Sequence, residues 1–236
     1  CTPTLYIWKN VKGKFSPKSG EDFAASLKAF TNIGGYRLEW QLLNTSWFLP
    51  QNRPRVYLVG YRSELPRDWR GVFPIGNIRE ETYPQPSAVQ ISNASTREFG
   101  WKNLSPCLAA RDYKEPKIVK IKSATKRGYE LADVGDSINL SQPNSKTRRG
   151  RVGDQRAQTL ETSCNQAVIL EGYEVRRLTP LECERLQGFP DNHTALGNYD
   201  GVVKEVSKTQ RYKMCGNAVT VDVVKEIANR VKPLFD

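Results

Sequence analysis

The chain reads as α/β: part of an α/β sheet joined to a small, mostly β domain. Three observations predict this. The first 62 residues carry apolar patterns in the order strand, helix, strand, strand. Residues 63–173 are rich in proline and glycine, with short apolar runs. The C-terminal residues carry an amphipathic helix that can return to the sheet.

The elements follow in order. Leu5-Tyr6-Ile7-Trp8 predicts a short strand, with Lys9-Asn10-Val11-Lys12-Gly13 as the turn after it. A helix follows, capped by Ser19 with Asp22 at the reciprocal position. Phe23, Leu27 and Phe30 share one face of it, and Gly34-Gly35 stops it. Tyr36–Leu43 alternates and predicts a second strand. Gln51-Asn52-Arg53-Pro54-Arg55 then leads into Val56-Tyr57-Leu58-Val59-Gly60, a buried strand bounded by glycine. Three strands with one helix leave a sheet face or edge uncovered.

Arg53 and Arg55 stand two residues apart in extended chain and so point to one side. Two guanidinium forks on a rigid support suit phosphates or the carbonyl edge of a base. The plainer alternative is a solvated strand entrance with two surface arginines.

Lys and Arg total 36 against 25 Asp and Glu, a net charge of +11. That surplus favours a polyanionic partner, most often nucleic acid. The five cysteines (Cys1, Cys107, Cys164, Cys183, Cys215) are scattered, with no CxxC spacing, and His193 is the only histidine. This argues against a zinc site and fits a reducing cytoplasm. No run approaches transmembrane length and no signal peptide is visible. The chain opens on Cys1 without an initiator Met, which reads as a fragment or processed piece.

Within the irregular region, residues 105–110 and 157–162 look faintly alike, too weakly for a repeat. Asn144–Arg151 holds Lys146, Arg148, Arg149 and Arg151 and no apolar residue, so it is expected outside the core. It is either a mobile basic loop or a loop laid along DNA, with cations on phosphates. Thr179-Pro180-Leu181-Glu182 is a capping box with Pro at the first helical position; Gly188 and Pro190 end that helix. The last helix is expected to begin at Cys215-Gly216-Asn217-Ala218-Val219 and to bury Val224, Ile227 and Val231. Gly216 and Ala218 would let its backbone approach a ligand; an ordinary amphipathic helix is the alternative.

Taken in order, these pieces resemble the C-terminal half of a bacterial or phage DNA cytosine-5 methyltransferase. Gln51, Arg53 and Arg55 match the Gln-x-Arg-x-Arg motif. Arg177–Pro190 matches the motif that carries the recognition domain, and Gly216-Asn217-Ala218-Val219 the final motif. Thr159-Leu160 is similar to the Thr-Leu pair of the target-recognition domain.

The resemblance implies a partial, Rossmann-like S-adenosylmethionine-dependent methyltransferase sheet plus a target-recognition domain. It implies residues 1–62 and 191–236 in the catalytic domain, with 63–190 recognising DNA. The enzymes flip the target cytosine out of the duplex. A cysteine thiolate attacks carbon 6, and carbon 5 takes the methyl group. Arg55 is then expected beside the flipped base, with Arg53 and Gln51 supporting. Asn217, Ala218 and Val219 are expected to line the S-adenosyl-L-methionine pocket. Lys146, Arg148, Arg149, Arg151, Thr159 and Leu160 are expected on DNA. Partners would be double-stranded DNA and an N-terminal half or subunit, in the cytoplasm of a bacterial or phage-infected cell, within a restriction-modification system; no membrane and no metal are implied.

There are departures. The family's Pro-Cys nucleophile and glycine-rich cofactor loops have no match in this sequence. Pro106-Cys107 lies in the recognition region and is rejected as the nucleophile. Lys9-Asn10-Val11 aligns with the family's Glu-Asn-Val, whose glutamate bonds nitrogen 3 of the cytosine. A lysine there would have to lose its proton to accept one. Alone, the chain is expected to bind DNA weakly and transfer nothing. The rivals are a catalytically dead DNA-binding module and an unrelated basic RNA-binding protein, though no aromatic stacking signature supports the latter.

Overall fold

The computed structural model describes residues 3–15, 17–62, 71–76 and 119–235. Residues 105–110, with Pro106-Cys107, lie outside them. The chain divides into two compact units. The first comprises Cys1–Leu49, Arg53–Thr82 and Val219–Asp236, and the second Pro50–Asn52 and Tyr83–Ala218.

The first unit is built on a three-stranded antiparallel sheet of β1 (Leu5–Val11), β2 (Tyr36–Asn44) and β3 (Pro54–Arg62), in the order β1-β3-β2. The turn expected at Lys9–Val11 is instead the end of β1, where Lys9 pairs with Tyr57 and Val11 with Arg55. Backbone pairing with β3 outweighs the polar composition of that stretch. β3 also continues past Gly60, because glycine serves a neighbour there rather than ending the strand. The ring of Tyr6, its cross-strand partner, covers Gly60 so closely that a Cβ would lie 2.2 Å from it.

Helix α1 (Pro17–Asn32) covers one sheet face. It starts at Pro17, ahead of the expected Ser19 cap, since proline fits the first helical turn. Phe30 stacks on Tyr6 with centroids 5.4 Å apart, and Phe23 meets Trp40 edge-on at 5.1 Å. Helix α4 (Val221–Val231) covers the other face, burying Val223, Ile227 and Val231 against Leu43, Tyr57 and Tyr61. The buried stripe starts at Val223, not Val224. It packs on this chain's own sheet, as an amphipathic helix that returns to the sheet does. Residues 72–75 also join this unit: Glu39 accepts from the Val72 and Phe73 N–H groups, and the Gln41 amide exchanges two bonds with Ile75.

The second unit holds short strands, as its composition predicts. β4 (Val119–Lys122) and β5 (Tyr129–Ala132) form a hairpin. β6 (Ser137–Asn139), β7 (Val152–Gly153), β8 (Gln166–Ile169) and β9 (Val175–Arg177) form an antiparallel sheet ordered β7-β6-β8-β9. Helix α2 (Pro180–Leu186) has both reciprocal bonds of its capping box. A hairpin of β10 (Leu196–Tyr199) and β11 (Val202–Glu205) and helix α3 (Lys208–Asn217) complete the unit.

The unit boundaries differ from the expected division at 62/63 and 190/191. The 72–75 segment belongs with the sheet for the reason above. Residues 191–218 belong with α2, because Glu184 and Gln187 bind that segment. Glu184 accepts from the N–H groups of Asn192 and Thr194 and pairs with Arg211 at 2.9 Å; Gln187 donates to the Cys215 carbonyl at 2.8 Å. Among the described residues no helix is long and apolar enough to cross a membrane.

Candidate functional site

In the first unit the arginine pair is fixed from its backbone outward. The Arg53 N–H donates to Asn44 Oδ1 at 2.9 Å, and its carbonyl accepts from the Thr45 N–H at 3.2 Å. Both partners sit where β2 ends, so they tie the entry to β3 to the end of β2. The Arg53 side chain is buried, only 3% exposed, which rules out the pair of surface arginines. Burial, then the Arg55 charge, lowers its guanidinium to about 10; nearby Tyr57 works the other way. Burial pushes the Tyr57 phenol up to about 12 against the pull of both arginines.

Arg55 is half-buried. Its Nη1 donates to the Pro54 carbonyl at 2.8 Å, while its buried Nε has no hydrogen-bond partner among the described residues. Burial also lowers Arg55 from its ordinary value, partly offset by Tyr57. Lys9, from the adjacent strand, is lowered by burial first and then by the charges of Arg53 and Arg55. Three cations therefore share one end of the sheet. Such a cluster repels itself and is relieved by an electron-rich ligand.

In the second unit Gln51 is fully buried (0% exposed), and neither its amide oxygen nor its nitrogen has a hydrogen-bond partner among the described residues. An unpaired buried amide costs about 1–3 kcal/mol per group, which favours a polar partner there. The segment carrying it is docked by backbone bonds: Asn52 N–H to Ala157 O at 2.7 Å and Ala157 N–H to Pro50 O at 2.8 Å. The Thr159 hydroxyl donates to the Asn52 carbonyl at 2.9 Å. Leu160 is core, packed with Cys164, Leu178, Cys183 and Cys215. The Thr159-Leu160 pair thus braces the Gln51 segment, and Leu160 is not a DNA contact.

The basic stretch divides in the same way. Arg151 is 2% exposed, and its guanidinium donates to the carbonyls of Asn139, Ser141 and Gln142. It is a structural cation inside a carbonyl cage, contrary to its expected place on DNA. Lys146 and Arg149 are exposed; Arg148 is half-buried, 3.8 Å from Glu161.

The final motif lies elsewhere than expected. Cys215, Gly216 and Asn217 end α3 rather than open the last helix, and Ala218 terminates the helix with an extended ψ of 168°. Asn217 is exposed; Ala218 and Val219 are half-buried. A Cβ on Gly216 would sit 2.7 Å from the backbone of Glu161 and Thr162, so glycine serves packing, not ligand approach. Alanine would gain about 1 kcal/mol of helix propensity, but displacing backbone costs about 1–3 kcal/mol. Gly216→Ala is therefore expected to lower the urea midpoint; an unchanged or raised midpoint would contradict this contact.

The fold also brings together three cysteines that are far apart in sequence. Cys164 and Cys183 place their sulfurs 3.4 Å apart, with Cys215 in the same buried cluster. Burial pushes the Cys215 thiol up to about 11, so it is no nucleophile at neutral pH. Among the described residues no cluster of histidine, cysteine or carboxylate could hold a metal.

The chain is 25% identical over 294 residues to an orphan methyltransferase, M.SPBetaI, of Bacillus phage SPbeta, covering 95% of this chain and 65% of that protein. It is 24% identical to the type II methyltransferase M.Bsp6I of a Bacillus species (97% and 65% covered) and 26% identical to M.HpaII of Haemophilus parainfluenzae (99% and 63%). The chain thus spans just under two thirds of the length of these relatives. Among solved structures, a prophage-encoded DNA modification methyltransferase (E. coli) superposes with a TM-score of 0.49 at 17% identity, covering 99% of this chain and 70% of that one. The model of the C-5 cytosine-specific DNA methylases matches residues 1–233, and the chain belongs to that family.

Proposed function

We propose that this chain forms the base-gripping and site-recognising portion of a DNA cytosine-5 methyltransferase that uses S-adenosyl-L-methionine. The first unit would contribute to the catalytic domain and the second would carry target recognition. The observation that carries this reading is Arg55: a half-buried guanidinium, anchored on the Pro54 carbonyl, with one N–H unspent near Arg53. A fixed donor of that kind can meet charge developing on a pyrimidine carbonyl without reorganising. S-adenosyl-L-methionine supplies the methyl group when bound. The exposed Asn217 amide beside small, half-buried Ala218 would offer such a ligand a polar edge.

The test is transfer of labelled methyl groups from S-adenosyl-L-methionine to duplex DNA, with a polypeptide bearing the family's Pro-Cys loop supplied. Label at carbon 5 of cytosine supports the proposal; duplex binding without transfer in that mixture rejects it.

Lys9 favours a second reading, a recognition module without transfer. A half-buried ammonium near two guanidinium groups donates where a carboxylic acid would share a proton. Lys9→Glu is expected to raise transfer in the same mixture, because a carboxylate there also neutralises part of the arginine charge. Equal rates for the two forms would discard the idea that Lys9 limits the chemistry.

A further inference from the structure

The second unit contains a built basic surface that only half coincides with the stretch singled out by sequence. The loop of residues 142–150 does not stand alone: it is sewn onto the turn between β4 and β5. The Ala124 N–H donates to the Arg148 carbonyl at 2.9 Å, and Arg149 Nε returns a bond to the Ala124 carbonyl at 3.0 Å.

Beneath this seam sits Glu130, on β5. It accepts from the backbone N–H groups of Gly150 at 2.8 Å, Arg151 at 2.8 Å and Val152 at 3.0 Å, and from the Ser123 hydroxyl. On the far side the Arg151 cage fixes the 139–142 turn. A loop whose residues 144–150 carry no apolar side chain is thus tied down by polar bonds. Beside it an open hollow of about 550 Å³ is lined by Thr125, Lys126, Arg127, Tyr129 and Glu130 among others.

The result gathers exposed cations from two loops onto one support. Lys126 and Arg127 come from the hairpin turn, Lys146 and Arg149 from the loop. Among the described residues, the two loops make one ion pair, the 3.8 Å contact of Arg148 with Glu161. Holding like charges together on ordered loops costs free energy in the free protein. A polyanion reverses the sign of that term, and it finds the loop entropy already lost.

We propose that the β4–β5 turn and the 142–150 loop act as one duplex-DNA-binding ridge. In it Lys126 and Arg127 contact the backbone together with Lys146 and Arg149, and Glu130 is the positioning residue that fixes the two loops in register. The inference rests on the DNA-recognition role proposed above and names the residues that carry it out.

All four cations are exposed, so their alanine variants leave the core intact. Binding of a fluorescent duplex is measured across salt concentration for the wild type, for Lys126→Ala with Arg127→Ala, and for Lys146→Ala with Arg149→Ala. Each pair is expected to shallow the slope of log affinity against log salt by about 2, since each phosphate contact contributes about 0.9. Glu130→Gln is expected to weaken binding several-fold with circular dichroism unchanged, and to shrink the effect of the loop pair. If the wild type binds the duplex and the hairpin pair leaves the slope unaltered, the ridge is overturned while the recognition role stands. If the wild type binds no duplex, both fall. Equal affinity and slope for a double-stranded RNA of the same length overturns the assignment of the ridge to DNA.

Discussion

Glu184→Gln is expected to destabilise the second unit by about 3–5 kcal/mol, the range for removing one partner of a buried ion pair. Glu184 is 0% exposed, and four donors converge on it. These are the Asn192 N–H at 2.9 Å, the Thr194 N–H at 2.9 Å, the Thr194 hydroxyl and Arg211 Nη2 at 2.9 Å. A glutamine of the same shape offers one oxygen instead of two. Its NH₂ group then faces a donor, and Arg211 loses its counter-charge in a setting where its side chain is 15% exposed. Urea denaturation of the two forms measures the difference. A loss below 1 kcal/mol would mean that water reaches this network, and the argument from burial would fail. Glu184→Leu with Arg211→Met should recover much of the loss, because two apolar groups of similar volume leave no charge stranded.

The same carboxylate gives the unit a direction of pH sensitivity. Burial alone would raise Glu184, but bonds from Thr194 and Arg211 more than offset it and hold it below its ordinary 4.5. On the capped helix, the fork of Arg176, against some burial, brings Glu182 down to about 2. A carboxyl held down in the folded state contributes stability that is fully present above the unfolded value. That stability is lost as pH falls through the folded one. Melting temperature should therefore hold at pH 6 and drop between pH 4.5 and pH 2. Glu184→Gln should remove part of that drop, since its group no longer titrates.

What the sequence made legible was local. Thr179 and Glu182 are three residues apart and bond to each other, so the α2 start could be read from spacing alone. The strand entered by Arg55 was legible because an apolar run needs no distant partner to declare itself. Arg151 was not legible: its cage is made of carbonyls from residues 139–142, which carry no side-chain signature. Helix α3 was missed because Lys208–Asn217 is polar nearly all round, with only Cys215 buried. Its purpose emerges from Arg211 meeting Glu184, 27 residues away. The three cysteines seemed scattered for the same reason, since only tertiary structure brings them together. Glycines misled in both directions. Gly60 and Gly216 were read as a strand end and a ligand approach, and both make room for a neighbour instead.

Under the proposed function, and in the mixture with the Pro-Cys-bearing polypeptide, Arg55→Ala is expected to lower methyl transfer about 10²–10³-fold, the range for deleting one preorganised donor to developing charge. The argument is one of division between two arginines. Arg53 is almost wholly enclosed, and its backbone is committed to Asn44 and Thr45. Its variants should lower stability along with activity. Arg55 is only half-buried, is braced by Pro54 and keeps an unspent Nε–H. Its loss should fall on kcat with little change in the denaturation midpoint or in KM for DNA. Arg55→Lys separates charge from geometry. A lysine keeps the positive charge but offers a single mobile ammonium in place of a planar fork. Recovery of less than a tenth of wild-type kcat would identify the fork as what the reaction uses. Full recovery would reduce Arg55 to a point charge. If Arg55→Ala instead leaves kcat within a factor of three, the donor beside the flipped base must be sought elsewhere. The self-repelling trio of Lys9, Arg53 and Arg55 would then have to be relieved by a phosphate rather than a pyrimidine.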